Sequence, residues 1–249
     1  MDFISGEIIG IDKPLGWTSF DAVKRVRGVI QRRLGVKKFK VGHAGTLDPL
    51  ATGVLIICTG RATRRIEELQ SGEKEYIAQI RLGATTPSYD LETEIDQTYP
   101  VEHITEDLVR EVLPQFQGTI MQVPPVFSAV KIDGKRAYKY ARKGKEVELK
   151  AKPLVISEIE LLSCELPTIE IRVVCSKGTY IRALARDIGE ALQSGGHLTA
   201  LRRTRVGAIA IADCLSVDDA VEKLNTVELT FPDDYQPAQY CSVVSLLTD

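Results

Sequence analysis

Alternating apolar and polar residues along the chain predict more strands than helices. The clearest case is 74–82, where Tyr76, Ile80 and Leu82 fall on one side of a half-buried strand. Further strands are predicted at 7–11, 54–58, 118–123, 154–162, 169–175 and 206–211. Together with the helical segments, they predict an α/β or α+β fold on a mixed, largely antiparallel sheet flanked by helices.

Helical spacing of apolar residues predicts the remaining elements. Long helices are expected at 19–34, 105–116 and 179–192, and shorter ones at 61–69 and 216–224. Thr18 or Ser19 would cap the first helix, and Ser216 would open the last one as part of a capping box. Residues 197–204 are predicted to form a short helix or a turn.

Charge is segregated along the chain, although the formal net charge is only −2. Lys24 to Lys40 holds eight basic residues and no acidic one, and Lys131 to Lys152 holds nine basic residues against three acidic ones. From Asp213 to Asp249 there are eight acidic residues and one lysine. Two basic blocks in an acidic-average chain indicate a polyanionic partner, because concentrated positive charge gains from neutralising phosphates.

The composition argues against several other classes of protein. No apolar run approaches the ~20 residues that span a bilayer, so no membrane association is expected. The N-terminus lacks the features of a signal peptide, and five cysteines without a C-x-x-C pair are typical of reduced thiols, so we expect a cytoplasmic protein. Three widely separated histidines make a histidine-rich metal site improbable, and no metal is expected.

The stretch 41–54 combines three glycines, a proline and a single aspartate, Asp48, and is expected to form a loop. Gly42, Gly45 and Gly53 permit sharp backbone paths and close approach of a ligand. Pro49 restricts its own φ and pushes Asp48 towards an extended conformation. The loop therefore presents one carboxylate from a stiffened turn, and Asp48 is the prime candidate for chemistry.

The motif that surrounds Asp48 resembles the signature of the TruB family of tRNA pseudouridine synthases. Further blocks resemble the family's other motifs, in the family's order. These blocks are Lys13-Pro-Leu-Gly-Trp-Thr-Ser19, Lys74-Glu-Tyr76, Gln122-Val-Pro-Pro-Val-Phe-Ser-Ala-Val-Lys131, Cys175-Ser-Lys-Gly-Thr-Tyr-Ile-Arg182 and Leu201-Arg-Arg-Thr204. Together they cover about residues 7–212.

The resemblance implies that the protein isomerises one uridine, at position 55 in the T-loop of tRNA, to pseudouridine after base flipping. It implies the pseudouridine synthase fold, no cofactor, and Asp48 as the catalytic carboxylate. That carboxylate could add to C1′ of the ribose or to C6 of the uracil, or act as a base. By the same resemblance Tyr76 stacks on the target base and Arg182 pairs with the aspartate, which offsets the cost of keeping it charged.

Four more residues match substrate-binding positions of the family. Tyr180 and Leu201 would line the uracil pocket, and His43 would lie near the flipped RNA. Lys13 would support the catalytic loop or meet the RNA. The partner implied is the T-arm and T-loop of tRNA, whose phosphates the two basic blocks would bind, and the protein is expected to act as a monomer without an obligate protein partner.

The resemblance also predicts the domain organisation. Residues 1–212 would form the catalytic domain, with a basic excursion at about 127–152 that holds a short helix near Tyr138. The acidic segment 213–249 is too short for the PUA-like domain that many members carry, so a short form is expected. After Thr85 the family pattern is altered: Thr93 stands where glycine is common, while Asp90 is kept.

Two other functions compete with this hypothesis. The fold could serve a catalytically silent protein that binds or folds RNA, although such a protein has no need of a carboxylate that repels phosphate. A hydrolase of nucleoside glycosidic bonds is the third possibility. It is disfavoured by the two basic blocks and by the single carboxylate, because glycosidases normally use two.

Overall fold

A computed structural model describes residues 1–128, 131–132, 135–136 and 149–233. The chain divides into two compact units. The first comprises Met1–Gly72 and Arg203–Asp249, and the second comprises Glu73–Arg202. The short helix expected near Tyr138 lies outside the described residues.

Short strands are the commonest elements of the described chain. The strands are β1 (Ile8–Lys13), β2 (Val41–Ala44), β3 (Ala51–Thr59), β4 (Lys74–Leu82), β5 (Ala84–Thr85), β6 (Gln97–Thr98), β7 (Gly118–Gln122), β8 (Lys131–Ile132), β9 (Lys135–Arg136), β10 (Lys152–Glu165), β11 (Thr168–Cys175), β12 (Gly196–Val206), β13 (Ile209–Ala210) and β14 (Leu215–Ser216). The α-helices are α1 (Ser19–Leu34), α2 (Ile66–Ser71), α3 (Glu106–Val112), α4 (Ile181–Ala191) and α5 (Val217–Thr226). Turns of 3₁₀-helix occupy Gly60–Arg65, Leu113–Phe116 and Ile211–Asp213.

The first unit is built on a mixed sheet with β1 at its centre. β1 pairs with β14 in parallel and with β3 antiparallel, and β2 pairs with the other edge of β3. Residues of β3 alternate between two apolar clusters, because successive side chains point to opposite faces of a sheet. Leu55 and Ile57 join the cluster that α1 and α5 cover, whereas Ile56 and Cys58 join the cluster on the opposite face.

Helix α1 is specified by its two ends and its buried stripe. Thr18 accepts a hydrogen bond from the Asp21 N–H, and the Asp21 carboxylate accepts one from the Thr18 N–H in return, which completes a capping box. Gly35 ends the helix in a left-handed conformation with φ 65°. The buried stripe consists of Ala22, Val23, Val26, Val29 and Ile30. The predicted helix 19–34 is therefore confirmed, and its basic residues lie on the opposite, outer face.

The second unit contains an antiparallel sheet in the order β4-β11-β10-β7. In β4 the alternation predicted from sequence is confirmed: Tyr76, Ile80 and Leu82 are buried, whereas Gln79 and Arg81 are exposed. The parallel pair in the first unit and the antiparallel strands of the second confirm the predicted α+β fold on a mixed, mostly antiparallel sheet.

Two predictions of local structure were wrong. Residues 197–204 lie within strand β12, not in a helix or turn. A strand usually alternates apolar and polar residues, but here two arginines, Arg202 and Arg203, stand next to each other. The sequence alone therefore does not indicate strand β12. The loop expected at 41–54 is also shorter, because β2 ends at Ala44 and β3 begins at Ala51. Among the described residues, no helix has the length and apolar character needed to cross a bilayer.

Candidate functional site

Asp48 lies in the tight turn that joins β2 to β3 in the first unit, and its side chain is half-buried. Two other segments of the unit hold this turn by hydrogen bonds. The Ser19 hydroxyl donates to the Leu47 carbonyl at 3.0 Å and accepts from the Leu47 N–H at 2.8 Å. On the other side of Asp48, the Gly16 N–H donates to the Pro49 carbonyl at 2.8 Å. The backbone on both sides of the carboxylate is therefore fixed.

Arg203 also holds this turn, by hydrogen bonds to its backbone. Its guanidinium donates to three backbone carbonyls: Nε to Val54 at 2.8 Å, Nη2 to Gly45 at 3.1 Å and Nη1 to Thr46 at 3.4 Å. The side chain is only 2% exposed. Because a buried charge is costly unless hydrogen bonds compensate it, this arginine stabilises one particular path of the turn.

Gly53 makes this close approach of Arg203 possible. Its φ is +102°, and a Cβ at this position would lie 2.1 Å from the Arg203 carbonyl oxygen. A side chain would therefore clash with the backbone of β12 and would also be strained in a left-handed conformation. The glycine that was expected to allow a sharp turn instead allows two backbones to touch.

Lys13 is fully buried at the end of β1, and Nζ donates to the carbonyls of Pro14 at 2.9 Å and Trp17 at 2.6 Å. Burial lowers the pKa of Lys13 to about 8. The Asp48 carboxylate raises this pKa, whereas the Arg203 charge lowers it. Lys13 therefore supports the loop before α1 and lies within electrostatic reach of Asp48. Its predicted role, support of the Asp48 loop or contact with the RNA, stays a prediction.

The perturbed Lys13 leads to a prediction for stability against pH. Its pKa in the folded protein is about 8, below the value of 10.5 for the free side chain. Between these two pH values the unfolded chain binds a proton that the folded chain has released, so the free energy of unfolding rises with pH. Lys13→Met should lose this rise. Urea denaturation near pH 7.5 and near pH 10 should show that the free energy of unfolding of the wild type, relative to that of Lys13→Met, is larger at the higher pH. An equal difference in the free energy of unfolding at both pH values would contradict the lowered pKa of Lys13.

His43 lies on β2, opposite Ile57 of β3, and its ring is partly buried. Burial lowers the pKa of His43, and the charge of Arg203 acts in the same direction, whereas the Gly45 backbone opposes both. The ring is therefore neutral near pH 7. Its Nδ1 atom is buried without a hydrogen-bond partner among the described residues, so the imidazole has one unused polar atom.

The second unit carries the aromatic candidates. Tyr76 lies near the start of β4, opposite Val173 of β11, and is 9% exposed. Tyr180 precedes α4, and its backbone is held by the buried side chain of Gln122: the Tyr180 N–H donates to Oε1 at 2.9 Å, and Nε2 donates to the Tyr180 carbonyl at 3.2 Å. Leu201 is half-buried on β12. The two hydrogen bonds between Gln122 and Tyr180 hold the start of α4 against the end of β7.

Arg182 is buried in the first turn of α4 and is fixed by two loops of its unit. It donates from Nη2 to the Phe127 carbonyl at 2.9 Å and from Nη1 to the Ser88 carbonyl at 3.3 Å. Nη1 also lies 3.5 Å from Oδ2 of Asp90, and both side chains of this pair are less than a tenth exposed. The pairing of Arg182 with Asp48 stays a prediction, and Asp90 is an acidic partner that the sequence analysis did not assign.

The altered loop after Thr85 supports Arg182. Thr93, which stands where glycine is common in the family, accepts a hydrogen bond from the Ser88 N–H at 3.1 Å, and its hydroxyl lies 2.8 Å from the Ser88 hydroxyl. Asp90 accepts from the Glu92 N–H at 2.9 Å. Thr93 therefore holds Ser88, one of the residues that contact the arginine, and the Glu92 N–H holds Asp90.

Sequence reasoning missed Arg203, Asp90 and Gln122 as residues that position the candidates. Arg203 was visible within Leu201-Arg-Arg-Thr204, but nothing in the sequence distinguishes a buried arginine from a solvated one. Gln122 opens one of the motifs, and Asp90 was noted only as kept. Their roles depend on long-range contacts, which a sequence without an alignment does not show.

The first unit offers a carboxylate on a fixed turn, with a buried lysine within electrostatic reach of it. The second unit offers a buried arginine, the buried Tyr76 and the partly buried Tyr180. Among the described residues, no group of three histidine, cysteine, aspartate or glutamate side chains is placed to hold a metal ion. A fixed carboxylate can add to an electrophilic carbon or remove a proton, and its restricted turn lowers the entropic cost of either step.

Solved structures establish the class of fold. The chain matches a protein described as "Crystal Structure of a Cbf5-Nop10-Gar1 Complex" with a TM-score of 0.65 and 31% identity, covering 89% of this chain and 55% of that one. An archaeal box H/ACA sRNP Nop10-Cbf5 complex matches with a TM-score of 0.63 and 30% identity, covering 89% and 54%. The chain therefore spans about half of the length of these solved chains, and it has the pseudouridine synthase fold.

Sequence comparisons establish the family. The model of the TruB family pseudouridylate synthase N-terminal domain matches residues 31–181, and that of the tRNA pseudouridylate synthase B C-terminal domain matches residues 182–234. The chain belongs to the TruB family of pseudouridylate synthases. Relatives named tRNA pseudouridine synthase B include one from Phocaeicola vulgatus, 68% identical over 92% of this chain and 97% of its own length. Another, from Bacteroides thetaiotaomicron, is 66% identical over 94% and 99%.

Proposed function

We propose that the protein isomerises a uridine of tRNA to pseudouridine, with Asp48 as the catalytic carboxylate. The observation that carries the proposal is the immobilised turn: Ser19, Gly16 and Arg203 fix the backbone around a single carboxylate. A rigid, partly desolvated carboxylate suits chemistry on a bound substrate. The near full-length likeness to relatives named tRNA pseudouridine synthase B supports tRNA as the substrate.

The reaction breaks the bond between C1′ of the ribose and N1 of the uracil, turns the base, and joins C5 to C1′. The proton on C5 is released and N1 gains one, so atoms and electrons balance without an external oxidant or reductant. Asp48 either adds to C1′ or C6 or removes a proton that starts elimination across the sugar. In each case the carboxylate is regenerated at the end of the cycle.

The other candidate residues would bind and orient the flipped nucleotide. Tyr76 would stack on the uracil, with Tyr180 and Leu201 lining its pocket. Arg182 would keep Asp48 charged, because a nearby guanidinium favours the ionised carboxylate. His43 would contact the flipped RNA or stabilise the loop rather than act as a general base, in line with the family resemblance.

The proposed substrate site on the RNA is the uridine at position 55 of the T-loop. The basic outer face of α1 and the basic segment about 127–152 would meet phosphates of the T-arm, because phosphate contacts position an RNA while loop shape specifies it. We further propose that a monomer suffices and that residues 1–212 form the catalytic domain. The acidic strip after it includes α5, whose Ala220 and Leu224 pack in the same cluster as the buried face of α1.

Tritium release tests the proposed function directly. A tRNA transcript labelled with tritium at uracil C5 should release close to one equivalent of label when incubated with the protein, because the C5 proton leaves during isomerisation. A matched transcript with cytidine in place of the uridine at position 55 should release almost none. RNA binding without release of label would favour the silent RNA-binding function, and free uracil would favour a hydrolase.

A further inference from the structure

Three apolar side chains are exposed beside the turn that carries Asp48. Leu15 is 63% exposed, Phe20 58% and Leu50 36%. Trp17, between Leu15 and Phe20 in sequence, packs against the core of the first unit instead. An exposed phenylalanine at the start of a helix whose other apolar residues are buried is not explained by folding, and exposed apolar clusters often mark binding sites. We call Leu15, Phe20 and Leu50 the apolar rim.

Backbone tethers fix the apolar rim to the catalytic turn. The Ser19 hydroxyl exchanges hydrogen bonds with the Leu47 backbone, which places the neighbouring Phe20 beside one side of Asp48. The Gly16 N–H donates to the Pro49 carbonyl, which places Leu15 next to Pro49 and Leu50 on the other side. The backbone segments that carry the three side chains are therefore tied to the residues on either side of Asp48.

The charges around the apolar rim identify its partner. The guanidinium carbon of Arg27 lies 5.6 Å from the centroid of the Phe20 ring, and Lys24 is exposed on the same stripe of α1. The one acidic residue of the first turn, Asp21, accepts hydrogen bonds from the Thr18 backbone and hydroxyl at 2.9 and 2.6 Å. Aromatic and apolar surface surrounded by cations is complementary to unpaired nucleotides, which combine flat bases with phosphates.

We propose that Phe20, with Arg27 against its ring, is a stacking platform for an unpaired base next to the nucleotide that enters the Asp48 site. Leu15 and Leu50 line the path of the same strand, and Arg27 faces its phosphate. The choice of RNA rests on the proposed function. The existence of an exposed aromatic surface does not rest on the proposed function, because it follows from the exposure of Phe20 and from the hydrogen bonds of the neighbouring backbone.

Substitutions at Phe20 test the platform. Phe20→Ala should weaken binding of a T-arm hairpin about 5- to 100-fold in Kd, because aromatic stacking on one base contributes that much. Phe20→Trp should bind as well as the wild type, because an indole ring also stacks on a base. Alanine is the better helix former, so α1 should persist, which circular dichroism and thermal melting can check. Phe231→Ala is the matched control, since Phe231 is 45% exposed in the same unit and should leave Kd unchanged.

Abasic substitutions in the hairpin identify the stacked base. With one abasic site at each loop position in turn, a single position should make the wild type and Phe20→Ala bind equally, since the stacking partner is then missing from both. If Phe20→Ala and the abasic site weaken binding additively at every loop position, the proposed platform is wrong. A changed oligomeric state of Phe20→Ala in sedimentation, with Kd unchanged, would show a contact between protein copies instead. Tritium release by the wild type distinguishes failure of the proposed function from failure of the platform. If the wild type releases no tritium, the proposed function is wrong. If it releases tritium and Phe20→Ala binds RNA with an unchanged Kd, only the platform is wrong.

Discussion

Asp48→Asn should reduce tritium release from labelled tRNA by at least about 10³-fold while leaving the fold and the RNA affinity intact. The amide has the shape of the carboxylate, but it is neither a nucleophile nor a base at neutral pH. The backbone that fixes the turn is unaffected, since the Ser19, Gly16 and Arg203 hydrogen bonds reach main-chain atoms. Affinity should not fall, because the substitution removes a negative charge that repels phosphate.

Single-turnover release at saturating protein gives the rate for Asp48→Asn, and filter binding to the same tRNA gives its Kd. Asp218→Asn is the matched control: it makes the same chemical change at an exposed position in the first turn of α5, within the same unit. The control should keep the wild-type rate. If Asp48→Asn kept a tenth of that rate, another group would have to supply the chemistry.

Local patterns allowed much of the fold to be predicted. The period of two in β4 and the apolar stripe of α1 are properties of nine and sixteen consecutive residues, and both were confirmed. Asp48 was predicted as the catalytic candidate in the same way, because its motif is contiguous and other motifs of the family occur in order along the chain. Features that lie within one stretch of chain are visible without the structure.

Features that depend on distant contacts were not predictable. β12 carries arginines where a strand usually has apolar residues, so its sequence resembles a polar turn. The Asp90 carboxylate, which lies far from Arg182 in the sequence but in the same unit, approaches its guanidinium to 3.5 Å, and no local pattern predicted this contact. The return of residues from Arg203 onwards to the first unit is a further property of tertiary packing.

Two buried cations act on the turn that carries Asp48, Arg203 by hydrogen bonds and Lys13 by its charge, and both donate to carbonyls of their own unit. Lys13 donates to Pro14 and Trp17, and Arg203 donates to Gly45, Thr46 and Val54. Carbonyl partners compensate less of the cost of burying a charge than a carboxylate would. This costs stability, but it leaves a positive field around the turn that carries the Asp48 carboxylate. Preorganisation of a charged site at the expense of stability is typical of catalytic centres.

Arg203→Met should separate the position of Asp48 from RNA binding. Methionine fills a similar volume but provides none of the N–H donors, so the Gly45, Thr46 and Val54 carbonyls lose their partner. The free energy of unfolding should fall by about 1–3 kcal/mol, because buried acceptors are left unsatisfied. The turn should then sample other paths. Displacement of a reacting group by about 1 Å costs about 10²-fold in rate, so single-turnover release should fall at least that much while Kd for tRNA changes less than about threefold.

Two further variants distinguish positioning from general loss of stability. Arg203→Lys should recover only part of the rate, because one ammonium cannot reproduce the planar fork that spans Val54 and Gly45. Arg205→Met is the matched control on the same strand and face, where the side chain donates to the Gly207 carbonyl at 3.2 Å. If Arg203→Met, measured at a temperature where circular dichroism shows it fully folded, released tritium at the wild-type rate, the guanidinium would serve only the fold, and the rigidity of the Asp48 turn would have to come from Ser19 and Gly16 alone.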